Sequence, residues 1–149
     1  MIGRLTATTN TWALLPLRLA LGVIFFAHGS QKLFGLWGGR GLAAWVDGSA
    51  PLGLRPSWLW MGLAAAAEFA GGIMVMFGFM TRIGAFMLAC VMGVAMAGVH
   101  WKNGFFLNTG GFEYTLALLG MSLTLLIAGG GNGSVDFQKY SVRVHRVDG

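Results

Sequence analysis

The sequence predicts an all-α fold, an integral membrane bundle of four transmembrane helices built as a single domain across all 149 residues. Composition is the first reason. Charged side chains make up 10% of the chain and hydrophobic ones 56%, whereas a typical soluble domain carries roughly 25% charge. Ten Lys and Arg with five Asp and Glu are too few to coat a water-facing surface of this size. A lipid-facing surface needs no such coat. The second reason is a set of four apolar runs, each close to the length of about 20 residues that crosses a hydrocarbon core. The runs are continuous rather than alternating, which favours helices over barrel strands. An apolar helix also satisfies its own backbone in lipid.

The first run covers residues 12–34 and continues without a break through Leu33 and Phe34. Leu19 to Ala27, followed by Ala27-His28-Gly29, has the outline of a secretory leader. Arg18 interrupts that outline, so a span and not a cleaved leader is expected. A long connection begins at Gly35-Leu36-Trp37-Gly38-Gly39-Arg40-Gly41 and runs past Asp47 and Pro51 to Pro56. The second span covers residues 57–80 and the third 82–100. Their junction, Gly78-Phe79-Met80-Thr81-Arg82, is short enough to predict an antiparallel hairpin, with Thr81 as N-cap of the third helix. Residues 100–111 lead to the fourth span, 112–128, which ends at Gly129-Gly130-Gly131-Asn132-Gly133. Residues 133–149 read as a polar tail carrying Lys139, Arg143 and Arg146. Twenty-five Gly, eleven Phe, nine Met and six Trp suit close helix packing with aromatic belts at the bilayer surfaces.

The net charge is +5, but the basic residues are scattered and form no stripe. Lipid headgroups explain them better than nucleic acid does. Four spans put both termini on one side. Arg4, Arg82, Lys139, Arg143 and Arg146 belong to that side, and Lys32, Arg40, Arg55 and Lys102 to the other. Five against four favours cytoplasmic termini. The single cysteine, Cys90, excludes an internal disulfide and reads as a small buried hydrophobe.

Ionisable groups inside spans are costly, so they usually face the bundle interior and find a partner. The first span carries Arg18, His28 and Lys32. At about 100° per residue, Lys32 falls about 40° and His28 about 80° from Arg18, so the three share one flank. Glu68 lies within the second span beside the small residues Ala70, Gly71 and Gly72. His100 ends the third span and Glu113 begins the fourth. With the first span leaving the bilayer near Phe34 and the second entering near Trp58, His28, Glu68 and Arg18 fall at depths of roughly 9, 15 and 24 Å. Glu68 is then between His28 and Arg18. The expectation is one polar pocket opening toward the 1–2 and 3–4 loops, with Arg18 at its floor.

A purely structural account gives each group a different task. Arg18 and Glu68 pair to fix helix packing. His28 and Lys32 snorkel or complement the first helix's C-terminal dipole. His100 anchors at the interface beside Trp101, and Glu113 is exposed in a first helical turn. Two His and two Glu also form a plausible metal set, but the Glu-x-x-His spacing of di-iron bundles is absent and no metal is expected. No phosphate loop, dinucleotide fingerprint, Cys-x-x-Cys or nucleophile elbow is present.

The stretch Arg18-Leu19-Ala20-Leu21-Gly22-Val23-Ile24-Phe25-Phe26-Ala27-His28-Gly29-Ser30-Gln31-Lys32-Leu33-Phe34-Gly35 resembles the first-helix signature of the DoxX family of bacterial membrane proteins. The resemblance extends through Glu68-Phe69-Ala70-Gly71-Gly72, Gly78-Phe79-Met80-Thr81-Arg82 and His100-Trp101-Lys102-Asn103-Gly104-Phe105-Phe106. It ends with Gly111-Phe112-Glu113-Tyr114 and the glycine-rich segment before Asp136, covering roughly residues 14–136. It implies a four-helix inner-membrane protein. Some relatives are associated with quinone-linked sulfur oxidation, as a small subunit of thiosulfate:quinone oxidoreductase, and others with assemblies for oxidative-stress defence. The motif positions carried over are Arg18, His28, Lys32, Glu68, Arg82, His100 and Glu113.

The leading reading is a membrane redox component, a quinone-linked oxidoreductase subunit or a membrane anchor for soluble redox proteins. In it His28 or His100 donates to a quinone carbonyl, Arg18 stabilises the reduced anion, and Glu68 with Glu113 relays protons. No electron-carrying motif is visible, so electrons come from a partner or the substrate. The alternatives are an oligomeric transporter of a small solute or proton, and a non-catalytic scaffold.

Overall fold

The computed structural model describes residues 7–138. Helix α1 spans Leu14–Phe34 and stops where Gly35 turns left-handed at φ 70°. A six-residue helix, α2 (Gly41–Val46), lies within the first long connection. Helix α3 covers Ser57–Phe77 and α4 covers Thr81–Ala95. The α4 path continues through a π-turn, Met96–His100, and a 3₁₀ turn, Trp101–Asn103. Helix α5 spans Glu113–Ala128. No strand occurs among the described residues.

Three helical runs are long and apolar enough to cross a membrane: Leu14–Phe34, Ser57–Phe77 and Thr81–Asn103. The protein is therefore multi-pass. With 16 residues, α5 rises only about 24 Å, short of a hydrocarbon core of about 30 Å. It is an apolar helix that packs along α4. Around the bundle α1 lies against α3, α3 against α4 and α4 against α5, whereas α1 and α5 touch little. Leu21, Phe25, Val75, Leu88 and Leu125 fill the core.

Glycines set the register of the tightest contact. A Cβ on Gly29 would strike the Phe69 backbone, and one on Gly72 would lie 2.6 Å from the Phe26 nitrogen. Small residues of this kind let two helices approach closely in lipid. Gly29 is consequently level with Phe69, and Gly22 with Met76. This register corrects the depth expected from the sequence. The first turns of α3 stand beyond the end of α1, so Glu68 lies level with Ser30. Arg18 lies level with the α3–α4 turn, roughly 18 Å from Glu68 along the helix axis. The expected Arg18–Glu68 pair does not form, and Arg18 is not the floor of the pocket.

The α3–α4 hairpin is as tight as expected. Gly78 adopts φ 66°, its N–H donates to the Val75 carbonyl, and the Phe79 N–H donates to that of Met74. This is a Schellman closure. Thr81, expected as the N-cap, is instead the first residue of α4, and Met80 precedes it with φ 48°. The cap comes from 55 residues away. Asp136 Oδ1 accepts the Met80 N–H at 2.9 Å, and Oδ2 accepts the Thr81 N–H and hydroxyl, each at 2.8 Å.

The start of the expected polar tail is thus part of the fold. Gly129, Gly130, Gly131, Ser134 and Asp136 are buried. The Thr9 N–H donates to the Ala128 carbonyl and the Asn132 N–H to that of Thr11, so the segment before α1 and the segment after α5 meet at one end of the bundle. Arg4, Lys139, Arg143 and Arg146 lie outside the described residues.

Candidate functional site: an intramembrane pocket

The embedded polar groups divide into two clusters at opposite ends of the bundle. At the end that holds the α3–α4 turn, the Arg18 guanidinium donates to the Gly130 and Gly133 carbonyls, both at 3.0 Å. The Asp136 carboxylate is close enough to act on it electrostatically. Arg18, Thr81, Ser134 and Asp136 are all at most 2% exposed. Gly78 closes the group, since a Cβ there would strike the Arg18 guanidinium and the Ser134 side chain. Arg82 adds a further tie: its side chain donates to the Ala7 carbonyl at 3.0 Å and the Ile127 carbonyl at 2.7 Å.

The other cluster faces open space. Lys32 Nζ lies 2.5 Å from both Glu68 oxygens and 4.5 Å from the centre of the Trp45 ring. Lys32 therefore turns inward to a carboxylate instead of snorkelling. Glu68 is 3% exposed and Lys32 19%, so the carboxylate is withdrawn from its surroundings and depends on the ammonium as its partner. The pair borders a cavity of about 940 Å³, between α1, α3, α4, α5 and the first connection. His28 and His100 also line it. Its walls are mostly apolar, with Phe25, Met61, Phe86, Val91 and Leu118 among them. An apolar pocket of this size with a few convergent polar groups is the usual form of a small-molecule site.

His100 owes its position to the π-turn. Such turns add a residue to the helical repeat and recur at functional sites. Its Nδ1 lies 2.8 Å from the Gly110 carbonyl oxygen. A carbonyl only accepts, so Nδ1 carries the hydrogen, and Nε2 of the neutral ring is left as an acceptor. The neutral ring therefore cannot donate to a carbonyl in the pocket through Nε2, contrary to one role expected for it. Glu113 does not reach the cavity; its carboxylate accepts the Leu107 N–H at 2.8 Å and orders the loop before α5. Cys90, expected to be buried, is exposed and lines the cavity.

Of the residues singled out in the sequence, the fold brings together His28, Lys32, Glu68 and His100, and separates Arg18 and Glu113 from them. Sequence reasoning missed Trp45, Tyr114 and the role of Asp136. Tyr114 lines the cavity from α5. Asp136 had one signal: it is among only five carboxylate side chains in the chain. Among the described residues no group of three or more His, Cys, Asp or Glu could hold a metal ion.

Apolar spans around a cavity edged by an internal ion pair define a multi-pass helical membrane protein with an intramembrane pocket. The chain belongs to the DoxX family, whose profile matches residues 13–101. It is 35% identical over 111 residues to a Bacillus subtilis protein named "Putative oxidoreductase CatD", covering 74% of this chain and 76% of that one. It is 28% identical over 126 residues to an uncharacterized protein of Haemophilus influenzae, covering 83% and 81%. No solved structure matches the chain significantly.

Proposed function

We propose that this protein is a redox-associated component of a bacterial inner membrane that binds a quinone in the cavity beside Lys32 and Glu68. One observation carries the reading: a buried Glu68, paired with a partly buried Lys32, edges a largely apolar cavity large enough for a quinone ring. A quinone needs an apolar slot, a donor for its carbonyls and groups that pass protons as it is reduced. Lys32 supplies the donor. Glu68 accepts and returns protons, and His100 Nε2 accepts a hydrogen bond from a quinol hydroxyl. His28 stands at the cavity wall as a second proton carrier. Electrons come from a partner protein or the substrate, because the sequence has no electron-carrying motif. The oxidoreductase name of the Bacillus subtilis relative is consistent with this chemistry.

The transport reading is less well supported, because the Arg18–Asp136 cluster packs the opposite end of the bundle. Trp45 and Trp60 both line the cavity, so titration of the protein in nanodiscs with a short-chain quinone should quench their fluorescence saturably. Glu68→Gln should weaken that binding about tenfold, equivalent to the loss of one hydrogen bond to a charged group. A linear, unsaturable decline identical in both proteins would reject the reading.

A further inference from the structure

We infer that the cavity is the head end of a groove that opens sideways into the bilayer along α3 and α4, admitting a ligand with a polar head and an apolar tail. The inference deepens the reading of the cavity as a ligand site and adds where the ligand enters and what its tail touches.

The cavity has two unlike walls. Toward the loops it is closed by the first connection, through Trp45, Ser49, Pro51 and Leu54. That connection is clamped down. The Trp45 indole N–H donates to the Met61 carbonyl at 2.9 Å, and Lys32 lies against the Trp45 ring. The Pro51–Gly53 turn presses so closely on the π-turn that a Cβ on Gly98 would lie 2.6 Å from Pro51 Cβ. Glycine at residue 98 is what lets the lid seat.

The other wall consists of residues inside the spans. Leu63 and Phe86 line the cavity yet are 51% and 57% exposed, and Ala66 and Cys90 are exposed beside them. In the register set by Gly29 and Phe69, Leu63 lies level with the end of α1 and Ala70 roughly 10 Å further along α3, inside a run long and apolar enough to cross a membrane. Cavity and side groove are continuous, with the ion pair at one end and only apolar groups at the other. Lipid provides no force to squeeze such a groove shut, because its tails are as apolar as the walls. The continuity fits a molecule whose head meets Lys32 and Glu68 while its tail lies over Leu63, Ala66, Phe86 and Cys90. A prenylated quinone and an acyl lipid share that chemistry.

The lone cysteine provides the test. A bimane label attached to Cys90 in detergent, with the protein then reconstituted in liposomes, should lose about half its emission when the lipids are brominated at mid-chain, since the residue sits in the hydrocarbon core. Aqueous iodide should leave it unchanged. Strong quenching by iodide with none by bromolipid overturns the inference, whatever binds in the cavity. In a second arm, Ala66→Phe fills the groove. It should weaken a long-tailed quinone about tenfold, or about 1.4 kcal/mol, and leave the tail-less head group unaffected. Equal effects on both, or on neither, also overturn the inference. Bromolipid quenching without binding of any quinone leaves the sideways groove standing with an acyl lipid as its occupant, and rejects the quinone reading.

Discussion

The two polar clusters are made of similar chemistry, a cation and a carboxylate buried between spans, and they do opposite things. Around Arg18 and Asp136 the hydrogen-bond partners are mainly backbone groups: two carbonyls for the guanidinium and two amides for the carboxylate. Little of either group is left for a visitor. Among the described residues, the polar partners of Lys32 and Glu68 are each other and an aromatic ring, and both side chains line the cavity. A buried charge surrounded by backbone holds the fold together. A buried ion pair facing a void is free to interact with something that enters.

The sharpest way to break this comparison is Asp136→Ala. It strands the Met80 and Thr81 amides and removes the carboxylate near Arg18. Unfolding in mixed micelles should become easier by about 3–5 kcal/mol, with quinone affinity unchanged in the protein that still folds. The double variant Lys32→Met with Glu68→Leu should behave in the opposite way. Apolar replacement of a whole ion pair is neutral or stabilising by about 1–4 kcal/mol, so the fold should persist while fluorescence titration shows no binding. Arg18→Met with Asp136→Ala should show no such recovery, because the backbone groups remain unpaired. Equal thermal stabilities for the two double variants would dissolve the distinction. Gly72→Ala pushes a Cβ onto the Phe26 nitrogen of α1 and should cost about 1–3 kcal/mol, with quinone affinity falling as the Lys32–Glu68 register shifts. Thr81→Val removes one hydroxyl from Asp136 Oδ2, and its expected cost is the smallest, about 1 kcal/mol by thermal denaturation.

The spans were legible because lipid leaves a coarse signature: length, continuity and absence of charge. The hairpin was legible because Gly78 and the shortness of the junction leave the chain few options. The pairing of charges was not legible, because it depends on how two helices are staggered. That stagger is set by backbone contacts at Gly29 and Gly72, which reveal small size in the sequence but no partner. Depth counted from Phe34 and Trp58 takes the end of α1 and the start of α3 to lie at one surface, and on that scale Glu68 pairs with Arg18 instead of Lys32. Asp136 was hidden for another reason. Local spacing points to Thr81 as the cap, whereas the capping carboxylate belongs to a segment that reads as tail. His100 was recognised as important, but the tautomer that defines its role depends on Gly110, ten residues on and across a loop.

The Asp136 cap also has a consequence for biosynthesis. The amides at the start of α4 are made early, and the carboxylate that satisfies them is translated 55 residues after Thr81. The α3–α4 hairpin by itself therefore has an open N-terminal end at α4, and Arg18 by itself lacks the carbonyls of Gly130 and Gly133. A chain ending before Gly130 would keep the three apolar runs and lose the groups that tie them together at this end.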